Sequence, residues 1–293
     1  MFNISETDIA KKKTIYRNYI LNLKNLPSIP AIMFEIAKLL DSPRTSAAEL
    51  GRLISKDQAL VAKILTVANS PLYGLPRRVA TIEFAIVILG FDHIKNIIIA
   101  LSMMEAFKNK SDKNWDRKAY WLHSFVSASA AKRIADDLGY MKSGEAFTAG
   151  LLHDLGISVI QRFFNKEFQE ICTLVQSQQM RYISAEETVI GLNHQDIGLI
   201  LCERWNLPQT LSDSIANHHF PSRTESNKEL AAIVHLADYM TQRFSIGNFD
   251  WDENIELDES IISILKLGDI NYLNKFIDSY EELFKNQIDS LLN

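Results

Sequence analysis

Apolar residues recur along almost the whole chain at three- and four-residue intervals, the spacing of one helix face, and strand-like alternation is nearly absent. Only 11 glycines and 7 prolines punctuate 293 residues, and they fall where helices would end. The expected fold class is therefore all-α. Helices are predicted over 31–40, 47–55, 58–69, 81–89 and 93–107, with a loop at Ser70-Pro-Leu-Tyr-Gly74-Leu-Pro76. A second series is predicted over 119–138, 143–153, 156–164, 166–178, 184–193, 196–205, 208–217 and 229–243. Two or three short packing helices follow Trp251, and no internal repeat is visible. The polar run Lys108 to Lys118 suggests a division into an N-terminal helical lobe (1–110), a histidine-bearing lobe (111–245) and a C-terminal helical tail (246–293). The two lobes are expected to form one compact unit.

Composition excludes several classes. Hydrophobic residues make up 47% and charged residues 23%, the balance of an ordinary globule. A net charge of −5 and a pI near 5.8 argue against a surface built to hold nucleic acid. The most apolar stretch, Ile94 to Phe107, contains Lys95, Asn96, Ser102 and Glu105 and is too short to span a bilayer. The first residues lack the basic-then-apolar order of a signal peptide. No membrane association is expected, and the cytoplasm is the expected location. Cys172 and Cys202 form no motif and read as reduced, buried thiols.

Five of the seven histidines fall into one ordered series with two aspartates: His123, His153-Asp154, His194, His218-His219 and Asp238. Imidazole and carboxylate together suit borderline divalent transition metals, whereas calcium wants more oxygens and structural zinc usually recruits cysteine. Seven ligands exceed what one tetrahedral ion needs. They fit two ions that share a carboxylate, the arrangement that clamps the attacking and leaving oxygens of a phosphoester. Asp154 is the natural bridge. His123, His153 and Asp238 would complete one ion, and His194, His218 and His219 the other. The bland alternative is that a lone histidine on an apolar helix is a satisfied core residue. His93 and His235 are placed in that class, although His235, three residues before Asp238, is positioned to support a ligand from behind.

The chain resembles the His-Asp metal-dependent phosphohydrolase superfamily, the HD domains, and more specifically its HDOD branch, the HD-related output domain of bacterial signalling proteins. The resemblance rests on Leu26-Pro-Ser-Ile-Pro30, Ile54-Ser-Lys-Asp-Gln-Ala-Leu60, Ala68-Asn-Ser-Pro-Leu-Tyr-Gly74 and Thr81 to Gly90. It continues through Trp121-Leu-His-Ser124, Gly150-Leu-Leu-His-Asp-Leu-Gly156, Arg204-Trp-Asn-Leu-Pro208 and His218-His219. It implies a multi-helical HD-domain-like bundle and a regulatory role. It also implies that the seven histidines and aspartates stand where the related HD-GYP branch, which hydrolyses cyclic di-GMP, keeps its metal ligands. Two departures disfavour that reaction here. Ile157 occupies the position of a phosphate-holding lysine, and no Gly-Tyr-Pro motif lies between Leu155 and Asn193.

The expectation is thus a signal-transduction module that retains a site for two divalent ions (Fe, Mn, Ni or Zn) and acts through an unidentified signalling partner. The alternative is a metal-dependent phosphohydrolase acting on a nucleotide or other phosphoester, with Asp154 as the catalytic residue beside a metal-held water. Self-association stays open. Ala47 to Asn69 resembles a DNA-reading pair of helices, but its second helix lacks polar side chains for base edges. Arg77-Arg78 and Lys11-Lys12-Lys13 read as solvated charge, and Ile97 to Met104 as a helix buried on every side.

Overall fold

In the computed structural model the described residues are 6–24, 35, 36, 39, 44–107, 113–247, 249, 251 and 255–292. The predicted helix at 31–40, the Leu26 to Pro30 run and much of the Lys108 to Lys118 boundary lie wholly or partly outside them. Among the described residues all regular structure is helical, without a strand, as the periodicity required. The N-terminal part comprises α1 (Glu6–Leu21), α2 (Ala47–Ile54), α3 (Gln58–Ala68), α4 (Ile82–Leu89) and α5 (Phe91–Ala106). Next come α6 (Arg117–Asp137), α7 (Ser143–Leu152), α8 (Leu155–Phe163), α9 (Asn165–Gln178), α10 (Tyr182–Val189), α11 (His194–Arg204), α12 (Gln209–Asn217) and α13 (Lys228–Arg243). The tail forms α14 (Ser260–Ile264), α15 (Ile270–Asp278) and α16 (Glu281–Leu292).

Local chemistry sets several starts. Ser46 caps α2 in a reciprocal box with Glu49, and Asp116 accepts from the Lys118 and Ala119 amides at the start of α6. One boundary moves against expectation. The segment predicted as helix over 184–193 stops at Val189, because Gly191 takes φ +77° and Asn193 then caps a new helix in a box with Asp196. His194 thereby becomes the first residue of α11 instead of a loop residue.

One hydrophobic cluster joins Leu50, Ile64 and Ile98 to Phe147, Ile157 and Ile197, so packing is continuous across the polar run near 110. A second cluster lies between α6, α13 and the tail helices, with Ala130, Ile134, Leu236, Leu273 and Phe284. Ile97 to Met104 is buried except for a partly exposed Ile99. No single helix is long and apolar enough to cross a membrane, and α4 and α5 meet at 117°. Both cysteines are buried and outside any disulfide. Lys12 and Lys13 are not merely solvated: the Lys12 ammonium donates to the Thr188 carbonyl at 2.7 Å, and Lys13 lies 3.5 Å from Asp196, tying α1 onto α10 and α11.

Small residues let the middle helices approach closely. A Cβ on Gly150 would lie 2.8 Å from the Ala128 Cα, so α7 meets α6 nearly backbone to backbone. A Cβ on Gly156 would lie 2.1 Å from the His194 carbonyl oxygen, which puts the start of α8 equally close to the start of α11. These glycines flank His153-Asp154 on either side. The sequence between them is thus pressed between two other histidine-bearing helices.

Candidate metal centre

His153 is the last residue of the α7 turn and Asp154 opens α8. A helix end leaves carbonyls without intrahelical partners, and His153 uses one: its Nδ1 donates to the Gly150 carbonyl at 2.7 Å. His218 repeats the device at the end of α12, donating from Nδ1 to the Ile215 carbonyl at 2.8 Å. Each ring is thus locked three residues back along its own helix, with Nε2 aimed beyond the helix end. His123, from the middle of α6, donates from Nδ1 to the Gly247 carbonyl at 3.0 Å. His194 instead turns Nδ1 to the Glu186 carboxylate, at 2.9 and 3.1 Å.

A carbonyl or carboxylate oxygen only accepts, so these four contacts place the proton on Nδ1 and leave Nε2 of each neutral ring as a lone pair. All four lone pairs face one region. Nε2 of His123 and His153 are 3.3 Å apart, those of His194 and His218 3.4 Å, and those of His194 and His219 3.0 Å. The two aspartates sit among them. Oδ2 of Asp154 lies 3.2 Å from His153 and 3.4 Å from His123, while its Oδ1 lies 3.7 Å from His194 and 3.6 Å from His218. Asp238, from α13, places Oδ1 3.3 Å from His123 and 3.8 Å from His153.

All seven predicted residues therefore converge, and among the described residues three sets of three have their donor atoms within 4.8 Å of one another: His123, His153, Asp238; His194, His218, His219; and His153, Asp154, His218, which links the first two. Asp154 turns one oxygen toward each of those two. Six of the seven residues have no exposed surface, and His219 has 5%. None of the four carboxylate oxygens has a hydrogen-bond partner. Leaving such groups unsatisfied costs about 1–3 kcal/mol each, more when charged, and facing imidazole lone pairs repel as well. The centre needs positive charge, and a divalent cation supplies it where carboxylate oxygens and neutral imidazoles already point. The donor set fits one.

Without a metal, protons must serve. Burial pushes the His123 imidazolium down, but Asp154 and Asp238 outweigh it and raise the pKa to about 10. Burial likewise opposes a charged His194, and Glu186 outweighs it, raising the pKa to about 9. His218 is lowered to about 4 and His219 well below the usual range, both chiefly by burial. Against the same burial, the neighbouring histidines hold Asp154 well below the ordinary carboxylate range and Asp238 below it.

Sequence reasoning missed most of the groups that hold the histidines from behind, having singled out only His235. Glu186 is fully buried; it accepts from the His194 amide at 2.8 Å as well as from its ring, and from the Trp251 indole. Nothing in its spacing from His194 marks it, because the two residues meet only through the turn at Gly191. Gly247 accepts from the His123 ring, and the Phe249 ring lies 6.2 Å from that of His123. His235 is a positioning residue: its Nδ1 donates to the His218 carbonyl at 2.8 Å, and its Nε2 accepts from the Asp258 amide at 2.9 Å. Both nitrogens are used, so it cannot also face the centre. His93 is buried as expected but is not satisfied, since its Nδ1 has no partner.

A sequence profile of the HDOD domain matches residues 26–221. An HDOD domain protein of unknown function from Geobacter sulfurreducens superposes with a TM-score of 0.77 at 28% identity, over 97% of this chain and 99% of that one. A candidate phosphohydrolase from Shewanella amazonensis SB2B shares the fold, with a TM-score of 0.68 at 22% identity over 93% of this chain and 98% of its own. An uncharacterised protein of Treponema pallidum (strain Nichols) is 26% identical over 269 residues. That match takes in 90% of this chain and 50% of the longer protein, so the chain spans about half the length of that relative.

Proposed function

The chain belongs to the HDOD family, and from that premise we propose that it is a regulatory module of bacterial signal transduction built around a buried centre for two divalent transition-metal ions. The observation that carries the reading is the closed convergence of His123, His153, Asp154, His194, His218, His219 and Asp238 around unsatisfied carboxylate oxygens. Five imidazoles and two carboxylates suit Fe, Mn, Ni or Zn. Such ions would supply charge neutralisation and Lewis acidity at that point. The chain's own residues hold the imidazoles in one tautomer, exclude water and bring six helical segments to a common point. In this reading the ions fasten those segments together, and their occupancy is what an unidentified signalling partner senses through the surface above.

The burial favours this reading over hydrolysis, since a phosphoester must reach the ions. Ile157, which stands where a phosphate-holding lysine is found in HD-GYP proteins, is fully buried and carries no charge. One observation favours the second reading, a metal-dependent phosphohydrolase of nucleotides or other phosphoesters: Asp154 offers one oxygen to each set of histidines, as a bridging carboxylate would.

Elemental analysis of protein purified without chelator or affinity nickel tests the centre. Two ions per chain are expected, and absence of metal even after anaerobic loading with iron or manganese would refute it. Turnover of cyclic dinucleotides, nucleotides or simple phosphodiesters by the loaded protein, lost in His153→Ala, would replace the signalling reading with the second.

A further inference from the structure

Two adjoining cavities, of about 490 and 700 Å³, open along the exposed face of α3. Ala62 and Thr66 stand one helical turn apart, are both exposed and line both cavities, so these two small side chains form the ridge between them. The first cavity lies between α3, α5 and α6, with an apolar floor of Val67, Leu101, Trp121, Leu122 and Phe125. The second lies between α3 and the loop that follows it, and Arg77 and Arg78 line it.

Charge is segregated on this face. The chain as a whole is acidic, with 36 aspartates and glutamates against 31 lysines and arginines. The lining of the two cavities reverses that balance: Lys63, Arg77, Arg78, Arg117 and Lys118 stand against one carboxylate, Glu105. Lys63 already holds Glu105 at 2.6 Å. Arg77, Arg78 and Lys118 are exposed and make no ion pair among the described residues.

An apolar hollow with a cationic rim discriminates between occupants. Single-stranded nucleic acid stacks successive bases on a row of exposed rings, and Trp121 is the only partly exposed ring lining either cavity. A membrane surface takes up apolar groups that protrude, whereas these form a floor. A seated apolar side chain ringed by rim charges is the layout of a protein docking site. We infer that this face of α3 docks an acidic segment of a partner protein. One large apolar side chain of that segment enters the cavity between α3, α5 and α6, and its carboxylates lie over Arg77, Arg78 and Lys118.

Position gives the docking a consequence. Trp121, Leu122 and Phe125 line the cavity from the turns of α6 that carry His123. At ~100° per residue, His123 lies on the opposite side of that helix. An occupant therefore presses on the outer face of a helix whose inner face offers a ligand to the centre. The docking supplies the kind of partner that the signalling reading calls for, and rests on that reading only for this coupling.

The probe is a short fluorescein-labelled peptide with one phenylalanine among glutamates, titrated at low salt into the full chain and followed by anisotropy. The wild type is expected to bind it, and to bind about tenfold more weakly a peptide with serine in place of the phenylalanine. Ala62→Glu on the ridge and Lys118→Glu on the rim are each expected to weaken binding by about tenfold or more, with the helical circular dichroism retained. Should one variant fail to fold, the other decides. No measurable binding, an affinity unchanged in the folded variant, or equal binding of the serine peptide overturns the inference. Tighter binding of a single-stranded oligonucleotide or of phosphatidylserine vesicles, lost in Ala62→Glu, overturns it too, by assigning the face to another occupant. Titrations with and without bound metal separate the two readings: binding that is equal in both upholds the docking and tells against metal occupancy as what the partner senses.

Discussion

Glu186→Gln isolates what a buried carboxylate contributes behind a histidine, because glutamine keeps the shape and removes the charge. Glu186 accepts from the His194 ring and amide and from the Trp251 indole. In metal-free protein burial lowers the His194 pKa, and Glu186, helped by Asp154 and Asp238, outweighs it and raises the value from 6.5 to about 9. The folded state therefore holds that proton more tightly than the unfolded chain does. The resulting stability is complete below pH 6.5 and is lost as the pH rises through about 9. A displacement of that size corresponds to about 3 kcal/mol. Denaturant titrations of chelator-treated wild type and variant should therefore differ by about 3 kcal/mol near pH 6, and by much less near pH 10. Other groups that titrate over this range, His123 among them, are present in both proteins and cancel. In the loaded protein the same carboxylate fixes the tautomer and raises the basicity of His194, and losing such a partner typically costs about 10–100-fold in metal affinity. A stability loss independent of pH, together with an unchanged affinity in chelator competition, would show that Glu186 is only a packing residue.

Asp154→Asn should lower metal content from two ions per chain to one or none by elemental analysis, since the amide removes the negative charge placed between the two sets; full occupancy would contradict the bridging role. Gly156→Ala drives a methyl group to 2.1 Å from the His194 carbonyl. It should cost at least the upper part of the ~1–3 kcal/mol typical of overpacking, seen as a lower denaturation midpoint, and should weaken metal binding by displacing His194. His93→Gln tests the depressed His93 pKa of about 3. A histidine held neutral by burial contributes stability above pH 6.5 that is lost as the pH falls toward 3, so the variant should show a shallower acid limb in a stability–pH profile; superimposable limbs would refute this.

Apolar spacing near 3.6 residues already dictates the all-α class, because it has no other way to bury a continuous face. The sequence also marked which residues to watch. His153-Asp154 and His218-His219 stand where helices end, and a histidine there can bond to a carbonyl three residues back along its own helix, as His153 does to Gly150 and His218 to Ile215. That relation is local and therefore legible. Gly150 and Gly156 were visible as part of a motif, but their purpose was not, since it lies in the backbones of Ala128 and His194 across the packing interface.

The rest came from packing between distant segments. Glu186 reaches His194 because Gly191 reverses the chain between them, and the break at Val189 follows from a positive φ that periodicity does not register. His235 supports the His218 backbone instead of Asp238 on its own helix, because its two nitrogens found other partners, one of them the Asp258 amide more than twenty residues away. The meeting of the Arg77-Arg78 loop with the cavity between α3, α5 and α6 is likewise a property of packing. Spacing along the chain fixes which side chains share a face. Which faces meet, and which polar atoms are left without partners when they do, depends on contacts between residues far apart in sequence.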